Sequence, residues 1–129
     1  MNQVSQDIVT SLDLNNQLFW GFTGKPTTKQ QILACVGPGW HNLVSNLIDE
    51  LFKLGWDGNV FQIKEKFGGL RFYIGKGNDA IWKAIHNSEA LSYRICEKCG
   101  ESGKLRTDGW MKVLCDNHGN GRPTEHSIY

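Results

Sequence analysis

Cys96-Glu97-Lys98-Cys99 and Cys115-Asp116-Asn117-His118 constrain this chain more than any other stretch. Each ligand pair is spaced by two residues, and fifteen residues separate the pairs. Three thiolates and one imidazole are the donors of a closed, four-coordinate structural zinc site. A Cys-x2-Cys turn can aim both sulfurs at one ion, and Gly100 follows where a tight knuckle favours positive φ. The intervening loop must double back to bring the second pair in, which predicts a treble-clef or zinc-ribbon-like module over residues 96–118. Four protein ligands leave no open position for water or substrate, so the metal is expected to hold structure. Cys35 is left over in the apolar run 32–36 and reads as a small buried hydrophobe.

Upstream, hydrophobic periodicity sets out an α+β arrangement: a helix-backed antiparallel β-hairpin in a core domain over residues 1–95. Residues 5–14 can form a short helix, and Leu18, Phe19, Trp20 and Phe22 make a dense apolar group expected to be buried. Residues 21–27 resemble a phosphate loop only faintly, with Pro26 where a hydroxyl residue belongs, and read as a turn. Thr28-x2-Gln31 is a capping box for a short helix through Cys35, which Gly37-Pro38-Gly39 ends. Over 40–54, Trp40, Leu43, Val44, Leu47, Leu51 and Leu54 form one apolar stripe, and Gly55 stops the helix. Residues 60–67 and 70–74 read as strands joined by Gly68-Gly69.

That register sets Lys66 against Arg71 and Lys64 against Tyr73. It gives one face of Phe61, Ile63, Phe67, Leu70, Phe72 and Ile74, and an opposite face of Lys64, Lys66, Arg71 and Tyr73. Glu65 falls on the apolar face, where it needs a buried cation or a bulge. A second helix, capped by Asn78 or Asp79, runs to about Arg94 with Ile81, Ala84, Ile85, Ser88, Leu91 and Ile95 inward. It leads straight into Cys96, so the metal module is expected to dock on the core rather than hang from a linker. Trp40, Leu47, Leu51, Phe61, Ile63, Phe72 and Ile85 are the expected core, with Trp56 and Trp110 partly exposed in Gly-bearing turns. The tail over 119–129 is polar and aperiodic and reads as flexible.

Composition narrows the function. The first fourteen residues lack a basic start and a continuous apolar run, so no signal peptide is expected there. No stretch approaches the ~20 apolar residues a membrane span requires. Three of four cysteines in a metal pattern suit a reducing cytoplasm. The net charge of +1 falls to about zero once three thiolates hold a divalent ion, which disfavours a general DNA-coating protein. The basic excess is local: residues 60–115 carry ten Lys/Arg against six Asp/Glu.

Several phrases carry a resemblance: Val36-Gly-Pro-Gly-Trp40, Lys64-Glu-Lys-Phe-Gly-Gly-Leu-Arg-Phe-Tyr73, Cys96-x2-Cys-Gly, Leu105-Arg106, Gly109-Trp110 and Leu114-Cys-x2-His118. Over about two-thirds of its length the chain resembles small, uncharacterised zinc-binding proteins of phages and prophages. The resemblance implies a phage setting, such as an accessory or counter-defence factor in the host cytoplasm, and supplies no reaction.

The candidate sites follow. Cys96, Cys99, Cys115 and His118 are the expected zinc ligands. Lys64, Lys66, Arg71 and Tyr73 form the candidate binding face, with Arg106 and Trp110 of the metal loop as further walls. The alternative for that face is a solvated surface whose cations pair with nearby carboxylates. No nucleophile elbow, phosphate loop or paired-carboxylate motif occurs. A zinc-knuckle nuclease using Asp116, His118 and His126 is disfavoured because the metal already occupies His118. The expectation is a non-catalytic binding protein. Its partner is a host protein or a nucleotide-like anion, with nucleic acid the weaker alternative.

Overall fold

The computed structural model describes residues 16–107 and 109–119. The helix expected over 5–14, His126 and the tail beyond 119 lie outside them. The chain is mixed α+β, with an antiparallel hairpin, helices packed on one face of its sheet, and a zinc-ribbon-like module at the C-terminal end.

The sheet is wider than the expected hairpin. Strand β1 (Leu18–Trp20) pairs antiparallel with the two-residue β2 (Pro26–Thr27) and parallel with β3 (Asn59–Lys66), which pairs antiparallel with β4 (Gly69–Ile74). The order is β2-β1-β3-β4. β1 is the aromatic run of the sequence. Its Leu18 is buried and Trp20 packs against the core, while Phe19 alternates away.

Between the strands run α1 (Lys29–Leu33), a 3-10 turn (Pro38–Trp40) and α2 (His41–Lys53). Thr28 Oγ1 caps α1 by accepting from the Gln31 N–H at 3.2 Å. Val44, Leu47, Ile48 and Leu51 make the buried stripe of α2, while Leu43 and Leu54 pack only partly. Cys35 is not buried. It lies exposed just past α1, its thiol 3.6 Å from the Gln31 carbonyl. Trp56 corrects the expectation the other way. Gly55, at φ 99°, turns the chain so that the Trp56 ring lies 4.9 Å from Phe52 and 6.0 Å from Phe72 in the core.

In the β3–β4 hairpin the turn is Phe67-Gly68 rather than Gly68-Gly69, with φ of 53° and 90°. Two positive-φ residues between paired Lys66 and Gly69 are the backbone of a type I′ turn. The space around Gly69 is the physical reason. A Cβ there would run into the Tyr93 ring, so Gly69 serves in the strand and the turn moves one residue back. The pairing slips by two residues, which preserves faces because the side-chain period is two. Ile63, Leu70 and Phe72 therefore stay inward as expected. The partners change: Lys64 opposes Arg71, and Tyr73 opposes Gln62. A bulge between Val60 and Gln62 replaces Phe61 with Val60 in the core, and Phe67 is 64% exposed.

Helix α3 (Asp79–Ser92) starts at Asn78, whose Oδ1 accepts the Ile81 N–H at 2.9 Å. Ile81, Ala84, Ile85, Ser88 and Ser92 face inward, and Leu91 does not. α3 also closes the sheet edge. Ser92 Oγ accepts the Leu70 N–H at 2.9 Å and Glu89 Oε2 the Phe72 N–H at 3.0 Å, so these two outward amides of β4 are satisfied. The remaining elements are β5 (Lys104–Arg106), β6 (Lys112–Leu114) and the single turn α4 (Asp116–Gly119).

Candidate functional site

The Cys96-x2-Cys99 turn closes through Gly100, whose N–H donates to the Cys96 carbonyl at 2.9 Å with φ 86°. β5 and β6 then form an antiparallel ribbon, Leu105 opposite Val113, that returns the chain to Cys115. α4 places His118 one turn on, with the Gly119 N–H donating to the Cys115 carbonyl at 2.7 Å. The four ligand atoms lie within 4.8 Å of one another. Cys99 Sγ is 3.7 Å from Cys115 Sγ, and His118 Nδ1 is 3.1 Å from Cys115 Sγ and 3.7 Å from Cys96 Sγ. Thiolates bound at ~2.3 Å in a tetrahedron stand about 3.8 Å apart, so these separations suit a shared tetrahedral ion. They are far too long for a disulfide, which needs about 2.05 Å. The four residues could hold a metal ion.

Electrostatics in the knuckle favour one thiolate in particular. Burial opposes the Cys96 charge, but the N–H groups of Cys115, Cys99 and Lys98 and the Cys99 thiol outweigh it, bringing its pKa down to about 6. At Cys99 the Glu101 N–H favours the thiolate, while burial and the Cys96 and Cys115 sulfurs prevail and push the thiol up.

The knuckle is tied to the core at three places. The Gly39 N–H donates to the Glu97 carbonyl at 2.7 Å, and the Gly37 N–H to Glu97 Oε2 at 3.2 Å. Trp40, wholly buried, donates its indole N–H to the Ile95 carbonyl at 2.9 Å. Lys112 Nζ lies 3.3 Å from Glu97 Oε1 and 3.4 Å from Glu65 Oε1. Glu65 thus finds the cation it needs, on the metal module rather than the hairpin, and its other oxygen accepts the Gly68 N–H at 2.6 Å.

Lys64, Lys66, Arg71 and Tyr73 share the sheet face away from the helices. Among the described residues no ion pair reaches Lys64, Lys66 or Arg71. Arg71 instead donates to the Leu70 carbonyl at 2.9 Å and the Tyr93 hydroxyl at 3.1 Å; that hydroxyl, with Glu89 nearby, favours its charged form. Arg106 does not join this face. It is 4% exposed and donates to the Leu114 carbonyl, at 3.2 Å from Nε and 3.0 Å from Nη2, and to Asp116 at 3.0 Å. It packs beneath Gly119 and braces the loop that carries His118. Trp110 is 74% exposed beside the hairpin tip.

The sequence reading missed Phe67 as a surface residue, and with it the groove of about 430 Å3 that Phe67 shares with Trp110 and Met111. The only signal was that Phe67-Gly68-Gly69 offers two competing two-residue turns. It also missed Glu97, whose docking role rests on a glycine sixty residues away in sequence. No described helix is long and apolar enough to cross a membrane. The chain matches no protein-family model, no curated protein and no solved structure.

Proposed function

We propose that this chain is a non-catalytic, zinc-stabilised binding protein that takes an acidic partner on the outer face of its hairpin. Zinc is the metal that three thiolates and an imidazole in tetrahedral spacing suit best. Cys96, Cys99, Cys115 and His118 would complete its coordination, leaving no position for substrate, so the ion's contribution is folding energy. The observation that carries the binding role is Lys64 standing directly opposite Arg71, with Lys66 two residues along. Like charges directly opposed weaken a sheet. No carboxylate among the described residues lies within ion-pair distance of them, Arg71 having Glu89 only nearby, and a bound anion would relieve the repulsion. The phage resemblance makes a host protein the natural partner, as for a counter-defence factor acting in the host cytoplasm.

Lys64→Glu is the cleaner test, because Arg71 also bonds Leu70 and Tyr93. The zinc content should stay at the wild-type value and the melting temperature at or slightly above it, because a carboxylate opposite Arg71 replaces a like-charge pair, while a protein captured by wild type from bacterial lysate is lost. Equal capture by both forms overturns the assignment of this face.

A further inference from the structure

Phe67 is the most unusual residue of the hairpin. At φ 53° it occupies the left-handed region, which glycine and asparagine tolerate and a bulky aromatic resists. Burial does not offset the strain, because most of its ring faces solvent. The packing of Tyr93 on Gly69 accounts for where the turn falls, but not for a large aromatic at a turn position that gives its ring no burial, and that choice points to a use for the side chain. Trp110, which lines the same groove, follows Gly109 at φ 75° and also exposes its ring. Met111 lines the same groove, a side chain that adapts to irregular apolar guests. Large exposed aromatics beside a methionine are the residue types that dominate binding energy in protein interfaces.

The charges at this groove are asymmetric. The Glu65 carboxylate in its wall is engaged by the Gly68 N–H and Lys112. Lys66 also lines it, its Nζ 5.7 Å from the Phe67 ring centre. From Lys66 the outward face continues to Lys64 and, directly across the ladder, Arg71. Alternate residues of a strand are about 6.6–6.8 Å apart, and so are alternate side chains of an extended peptide. A peptide lying along β3 with one end in the groove would therefore meet Lys66 and then Lys64 at alternate residues, with Arg71 beside Lys64.

We infer that this groove seats one large apolar side chain of an acidic protein segment, held between Phe67 and Trp110, with flanking carboxylates on Lys66, Lys64 and Arg71. This rests on the cationic-face reading and names the partner's chemistry: an aromatic or leucine anchor followed by acidic residues at alternate positions. The charge of the molecule favours such a segment over single-stranded nucleic acid. Three cations can neutralise at most three phosphates, and the whole metal-loaded chain is near neutral.

The test uses the full zinc-loaded chain and fluorescein-labelled synthetic peptides read by polarisation. The probe has a central tryptophan with glutamates two and four residues on. Controls replace the tryptophan by alanine or the glutamates by lysine, and a single-stranded dT oligonucleotide is run beside them. The acidic, tryptophan-bearing peptide should bind in the micromolar range, and each control peptide at least about tenfold more weakly. Trp110→Ala and Phe67→Asn should each lose about tenfold in affinity. Phe67→Asn should at the same time melt no lower than wild type, because asparagine accepts the left-handed turn. That separates lost binding from lost folding.

Absence of binding by the acidic peptide overturns the inference, as does tighter binding of the oligonucleotide. If the alanine-anchor peptide binds as well as the parent while Lys64→Glu abolishes binding, the groove is overturned and the cationic face stands. Sensitivity to the anchor and to Trp110→Ala with none to Lys64→Glu overturns the cationic face, and with it the acidic partner.

Discussion

Gly39→Ala should loosen the core and weaken the metal centre together. A Cβ at Gly39 would fall on the Cys96 carbonyl and the Gly100 amide, with the Glu97 carbonyl carbon also in reach. All three are backbone of the knuckle, so no flexible side chain can swing aside. The φ of Gly39 lies outside the left-handed region, so space alone excludes the methyl. Admitting it means separating the 37–40 turn from the knuckle. The Gly39-to-Glu97 amide bond at 2.7 Å then breaks, and the Gly37-to-Glu97 carboxylate bond at 3.2 Å stretches. One neutral and one charge-assisted bond together amount to about 2–4 kcal/mol.

Docking and metal binding act on the same segment, so this loss appears in both. A full transfer of about 3 kcal/mol corresponds to roughly a hundredfold weaker zinc. Competition against a chromophoric chelator measures it, alongside thermal melting. Gly24→Ala is the control: it meets nothing within 4 Å, and its φ of 73° carries only local strain. Should folded Gly39→Ala bind zinc within about twofold of wild type, the core and the metal module are not energetically coupled through this contact.

Three further outcomes follow from the same contacts. Cys99→Ser should lose stoichiometric zinc by elemental analysis and unfold the β5–β6 ribbon, and retention of metal and melting temperature would refute the ligand set. Glu97→Ala removes the acceptor of the Gly37 N–H and one partner of Lys112. It should lower the urea unfolding free energy by about 1–3 kcal/mol without changing the ligands. Gly69→Ala drives a methyl into the Tyr93 ring, which bonds Arg71. It should cost about 1–3 kcal/mol in chemical denaturation, and an unchanged midpoint would show that ring free to move.

Local chemistry determined the Cys3His cluster, the helix stripes and the inward face of the hairpin. The ligand pairs were legible because two-residue spacing ties both donors to one turn. Val44, Leu47 and Leu51 were legible because helical period alone brings them to one side. Ile63, Leu70 and Phe72 survived a misplaced turn because a slip of two residues leaves every strand face unchanged.

Tertiary structure decided where distant segments compete for the same space. Tyr93 excludes a side chain at Gly69, and that moves the turn to Phe67-Gly68 and lifts the Phe67 ring into solvent. The β3 bulge turns Phe61 outward, and the chain reversal at Gly55 buries Trp56. Glu65, Glu97 and Lys112 meet only because the metal module folds back onto the hairpin. No periodicity in the sequence encodes such a meeting. It follows from the shape of the whole, which brings charges forty-seven residues apart within 3.4 Å.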